Sequence, residues 1–69
     1  MICFDPLWET MKKKGVTTYT LRVTYKMSHS TVQSLQENKS VTTYTLNRLC
    51  EILDCGLEDV AKYIPDKKE

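Results

Sequence analysis

The sequence predicts an all-α fold: one compact domain of five short helices, with the option of a short strand at the N-terminus. Three features carry that expectation. Apolar residues recur at helical spacing in four segments: Leu7, Trp8 and Met11; Leu21 and Tyr25; Val32 and Leu35; and Leu46, Leu49, Cys50 and Leu53. Helix starts and stops punctuate the chain between them, at Asp5-Pro6, Gly15, Ser28, Asn38, Asp54-Cys55-Gly56 and Pro65. A length of 69 residues suits a single domain with a modest core.

The first helix starts at Asp5-Pro6, where Asp5 is placed to cap and proline is favoured at the first helical position. Lys12, Lys13 and Lys14 complement its carbonyl end, and Gly15 supplies a left-handed stop. Those lysines are also within reach of a phosphate reading, but capping electrostatics alone explains their placement. Met1 to Phe4 is open between packing on the core and forming a short strand.

The hexapeptide VTTYTL then occurs twice, at residues 16–21 and 41–46. Its β-branched and aromatic content favours a strand, as does the alternation Tyr19, Leu21, Val23, Tyr25, Met27. Both copies also fit a helix entry, with valine ahead of a threonine cap and leucine closing a hydrophobic staple onto it. The second copy runs into LNRLCEIL, a clear helical stripe, so the helical reading is extended to both.

In the second helix Leu21 and Tyr25 share a face, and Met27 plugs the corner that follows. Ser28 caps the third helix, which runs from His29 to about Glu37, and Asn38 is its left-handed stop. The fourth helix is expected over roughly Thr43 to Leu53. A fifth, about Glu58 to Tyr63, starts with two acids suited to its N-terminus and closes at Pro65. Residues 65–69 form a charged tail, leaving a core over 5–64 and a helix-corner-helix unit over 17–39.

Composition narrows the function. With 28% charged and 41% hydrophobic residues the chain is globular rather than disordered. Its apolar runs are too short for a transmembrane helix, and Met1 to Trp8 lacks the features of a signal peptide. A soluble cytoplasmic product with no membrane partner is therefore expected. The net charge of +1 conceals a basic front: residues 1–48 hold seven Lys/Arg against three Asp/Glu, and residues 49–69 hold three against six. That asymmetry suits a protein presenting one side to an anionic polymer, and it also fits ordinary surface solvation.

Cys3, Cys50 and Cys55 are odd in number, which argues against a disulfide framework, and Cys50 reads as a core thiol. Cys50 and Cys55 lack a second pair or a nearby histidine, so neither a metal nor a cofactor is expected. With one histidine and no glycine-rich phosphate loop, an enzyme is the least supported class. No small-molecule ligand is indicated.

The segments DPLWETMKKKGV, MSHSTVQSL, ENKSV and LNRLCEILDCGLEDVAKYIPD, in this order, resemble the Cro/cI-type (XRE-like) helix-turn-helix domains of bacterial and phage repressors. The similarity spans roughly Leu7 to Ile64 and is greatest to the small stand-alone bacterial members. It implies a five-helix, lambda-repressor-like DNA-binding fold whose third helix enters the major groove. Two positions depart from the family pattern. Arg22 stands where a small residue is frequent, and Lys26 stands where glycine often takes a positive φ, at a cost on the order of 1 kcal/mol.

By that resemblance His29, Ser30, Gln33 and Ser34 are the candidate base readers. Gln33 suits adenine, His29 can donate to guanine, and serines can donate or accept. Thr18, Tyr19, Ser28, Thr31, Asn38 and Lys39 match DNA-backbone contacts, with Ser28 and Thr31 also capping and Tyr19 also fitting a role as cover for the core edge. Glu37 would repel phosphate, so it is assigned to the helix end or a salt bridge.

The function implied is a sequence-specific, double-stranded-DNA-binding transcriptional regulator, most simply a repressor, acting as a homodimer. Ile2 to Phe4 and Tyr63-Ile64 are the candidate dimer surfaces. The rival is a protein-interaction adaptor or antitoxin-like module on the same fold, favoured by the low net charge and the absence of arginine from the third helix.

Overall fold

A computed structural model describes residues 1–65, so residues 66–69 of the expected charged tail lie outside the described residues. Among the described residues there are four α-helices: α1 (Asp5–Lys14), α2 (Thr18–Val23), α3 (His29–Gln36) and α4 (Thr43–Leu53). Two short strands, β1 (Ile2–Cys3) and β2 (Lys62–Tyr63), pair antiparallel with Ile2 opposite Tyr63 and Cys3 opposite Lys62. The ladder is extended by the terminal ammonium of Met1, which donates to the Ile64 carbonyl at 2.6 Å, and by Ile64 N–H, which donates to the Met1 carbonyl at 2.8 Å. No helix among the described residues is long and apolar enough to cross a membrane.

The expected fifth helix does not form. Leu57–Asp59 is instead one 3₁₀ turn, closed by Val60 N–H to the Leu57 carbonyl at 2.9 Å, and the chain then straightens into β2. The reason is competition for backbone hydrogen bonds. Residues 62–64 can satisfy theirs on Met1 to Cys3, and the β-branched and aromatic side chains there favour extended backbone. Thr10 Oγ1 also donates to the Asp59 carbonyl at 2.7 Å, pinning the turn against α1.

Two further boundaries differ. Asp5 is the first helical residue rather than the cap, because Phe4 takes the cap position with its side chain buried in the core. Helix α2 ends at Val23, which leaves Tyr25 in the corner, where its carbonyl accepts from Arg48 Nη2 of α4 at 2.8 Å.

Both hexapeptide copies enter helices, and they do so with the same local structure. Thr17 and Thr42 are the caps, each Oγ1 accepting from the backbone N–H three residues on (Thr20 and Thr45) at 3.2 Å. The threonine pairs also share hydroxyl contacts of 3.1 and 3.2 Å. Val16 and Val41, the residues ahead of these caps, are half-buried against the core.

Helices α1, α3 and α4 stop alike. Gly15, Asn38 and Asp54 adopt left-handed backbone (φ 71°, 57° and 50°), and the next N–H reaches back five residues, as in Val16 to Met11, Lys39 to Ser34 and Cys55 to Cys50.

The core gathers Phe4, Leu7 and Met11 with Leu21, Met27, Val32, Leu35, Leu49, Leu53 and Val60. Each helix thus contributes one apolar stripe, and no polar side chain is buried among the described residues. Cys50 is half-buried against this cluster rather than inside it.

The corner residue Lys26 has φ 56°, so the positive φ expected there is present on a non-glycine residue. Lys26→Gly is therefore expected to stabilise the fold by up to about 1 kcal/mol, since only the side chain makes this conformation unfavourable. Urea unfolding should show a raised midpoint with an unchanged slope.

Candidate nucleic-acid interface

The candidate interface is built on α3. Val32 and Leu35 are three apart and both are buried, which turns the opposite side of the helix outward. His29, Ser30 and Gln33 are exposed on that side, with Ser34 half-buried at its edge. The four candidate base readers therefore share one helix, and its orientation is set by the packing of Leu21, Met27, Val32 and Leu35 in the common core.

The cap that starts α3 is doubly tied. Ser28 Oγ accepts from Thr31 N–H at 3.2 Å and donates to Thr31 Oγ1 at 2.8 Å. Ser30 Oγ lies 3.4 Å from Ser28 Oγ. Ser28 and Thr31 thus spend their hydroxyls on the helix start, at the rim of the exposed face.

At the other end, Asn38 Oδ1 accepts from Phe4 N–H at 2.9 Å. This commits the acceptor of the Asn38 side chain to the fold and leaves its NH₂ group for other partners. Glu37 sits between two candidates. Its Oε2 accepts from Gln33 Nε2 at 3.1 Å and its Oε1 pairs with Lys39 Nζ at 3.0 Å, in line with the helix-end or salt-bridge role assigned to it.

The hydrogen bond from Lys39, then that from Gln33, then the Lys39 charge hold the Glu37 carboxyl below its ordinary pKa. These interactions are present above the ordinary carboxylate range and are lost as pH falls through the depressed value.

Thr18 and Tyr19 open α2, and Tyr19 is 67% exposed, which argues against it as cover for the core. Sequence reasoning passed over its twin. Tyr44 holds the same place in α4 and is 70% exposed, and the hexapeptide repeat was the signal that could have found it. Between α3 and the start of α4 runs a groove of about 250 Å³ bordered by the hydroxyls of Ser30, Thr31, Ser34, Ser40, Thr42 and Thr45. Arg22 and Lys26, on α2 and in the corner, are exposed cations.

Little else offers chemistry. Among the described residues no group of three or more His, Cys, Asp or Glu side chains is placed to hold a metal ion. Burial, with neighbouring Cys50 and Asp59 adding to it, pushes the Cys55 thiol up, so it is a poor thiolate at neutral pH.

A family model described as the Cro/C1-type HTH DNA-binding domain matches residues 6–66 of the chain. Among solved structures, the crystal structure of the transcriptional regulator VanUg (form II) is similar, with a TM-score of 0.85 and 26% sequence identity. That match covers 94% of this chain and 87% of the VanUg chain. Comparison with curated proteins gives no match.

Proposed function

The chain belongs to the Cro/C1-type helix-turn-helix DNA-binding domain family, and we propose that it is a sequence-specific transcriptional regulator that lays α3 in the major groove of double-stranded DNA. The observation that carries this reading is the exposed polar face of α3, with His29, Ser30 and Gln33 outward over a buried Val32 and Leu35. Base edges in the major groove present donors and acceptors that such side chains can meet. Ser34 at the edge of that face completes the set of base readers.

Thr18 and Tyr19 stand at the start of α2, Ser28 and Thr31 at the start of α3, and Asn38 and Lys39 beyond its end, all within the helix-turn-helix unit. They are assigned to the sugar-phosphate backbone, where contacts position a protein without reading sequence. Tyr44, Arg22 and Lys26 join them.

Action as a homodimer on a near-palindrome is the form of the proposal that fits one half-site per domain. Of the candidate dimer surface at Ile2 to Phe4, Cys3 and Phe4 are buried within the domain and only Ile2 is exposed, set beside Tyr63 of the second candidate by the β1–β2 pairing. Ile2, Leu57 and Tyr63 are exposed around a groove of about 280 Å³ that Leu46 and Ala61 also line. Exposed apolar groups gathered this way favour self-association. Occlusion of a promoter makes repression the simplest mode, with the protein in the cytoplasm.

An electrophoretic mobility titration against a random duplex pool at several salt concentrations tests the reading. Retarded DNA is expected at low salt, with affinity falling steeply as salt rises, because phosphate contacts release counterions. No retardation at low salt would leave the adaptor or antitoxin-like reading in its place.

A further inference from the structure

We propose that Glu37 is a positioning residue for base readout: it holds the side-chain amide of Gln33 in one orientation and links that orientation to Lys39. The inference rests on the DNA-binding reading above and names a determinant of its specificity. Gln33 and Glu37 are one helical turn apart, and Gln33 Nε2 donates to Glu37 Oε2 at 3.1 Å. The other carboxylate oxygen, Oε1, is taken by Lys39 Nζ at 3.0 Å. Each oxygen of Glu37 therefore has a separate cationic or N–H partner.

An ionised carboxylate only accepts hydrogen bonds, so it can face the amide nitrogen of Gln33 but not its oxygen. A solitary glutamine turns its amide over freely and can offer either end outward. Here the flipped amide would set Gln33 Oε1 against Glu37 Oε2. With one N–H committed to Glu37, Gln33 keeps Oε1 and its second N–H for another partner. That adjacent acceptor and donor match the N6–H and N7 of adenine in the major groove.

Glu37 itself stands on a fixed turn. Asn38 holds left-handed backbone, its Oδ1 accepts from Phe4 N–H at 2.9 Å, and Lys39 N–H donates to the Ser34 carbonyl at 2.8 Å. The carboxylate is thus presented by a helix cap tied to the N-terminal segment, and a pre-ordered reader loses less freedom on binding. Lys39 offsets the negative charge that Glu37 would otherwise bring toward phosphate.

The test measures discrimination by the full chain at every base pair of a duplex it selects from a random pool. Gln33→Ala identifies the position that Gln33 reads, by loss of preference there. Glu37→Ala should lower discrimination at that same position roughly tenfold, with discrimination elsewhere unchanged. Glu37→Gln, whose amide can meet either end of the Gln33 amide, should lose most of the discrimination as well while keeping the side-chain length, and Gln33→Ala/Glu37→Ala should match Gln33→Ala alone.

Circular dichroism of each variant separates a folding defect from a readout defect, and Glu37→Gln preserves the test should Glu37→Ala unfold. Binding by Glu37→Ala with discrimination unchanged at the Gln33 position overturns the inference and spares the DNA-binding reading. A Gln33→Ala protein with no lost preference overturns it too. Failure of the unaltered chain to bind any DNA overturns both.

Discussion

Leu35→Ala is expected to destabilise the domain by about 3 kcal/mol, within the range of 2–5 kcal/mol seen when a buried leucine is truncated. Leu35 is fully buried, on the face of α3 opposite the candidate base readers. Leu35 belongs to one core cluster with Leu21, Met27, Val32, Leu49 and Leu53, so truncation leaves a cavity in the core that the helices share. A domain of this size has a total stability of roughly 3–10 kcal/mol, so the loss is a large fraction of what holds it folded. Urea or thermal unfolding measures it. Val23→Ala, at a side chain 50% exposed on α2, is the control and should shift stability by less than about 0.5 kcal/mol. Equal effects at the two positions would mean that α3 is not seated through Leu35.

Ser30→Glu should separate stability from function, because its two effects have opposite signs. Ser30 is exposed in the first turn of α3, where a carboxylate interacts favourably with the helix dipole, by about 0.3–1 kcal/mol. The variant should therefore unfold at an equal or slightly higher urea concentration. In the proposed complex the same carboxylate enters a groove walled by phosphates. Like-charge apposition should weaken DNA binding about 100-fold, equivalent to roughly 2.7 kcal/mol. Unfolding curves and mobility titrations on one preparation report both quantities. A variant that binds DNA as well as the parent chain would remove Ser30, and with it the first turn of α3, from the interface.

What was legible in the sequence was local. The threonine caps at 17 and 42, the Ser28 cap and the left-handed stops at Gly15 and Asn38 are all decided within about six residues. Patterns that short can be read directly, and the apolar stripes show which helix faces turn inward.

What was misread depended on distant partners. The segment after Asp59 forms a strand because Met1 to Cys3, some 60 residues away in the chain, completes its hydrogen bonds. Helix α2 stops short of Tyr25, whose carbonyl takes its hydrogen bond from Arg48 on α4. At the candidate interface, the i,i+4 spacing of Gln33 and Glu37 was visible, but only the turn through Asn38 and Lys39 reveals which oxygen meets which partner. Tyr44 was equally visible in the repeat, at the place in α4 that Tyr19 holds in α2.

In the proposed complex the outward face of α3 reads the major groove. This is tested most directly by selecting duplexes from a random pool and then methylating guanine N7, an atom that lies in that groove. The expected result is a recovered consensus of two related half-sites about one helical turn apart, with N7 methylation inside either half-site abolishing binding. Recovery of no DNA, or of DNA whose binding is indifferent to N7 methylation, would contradict it.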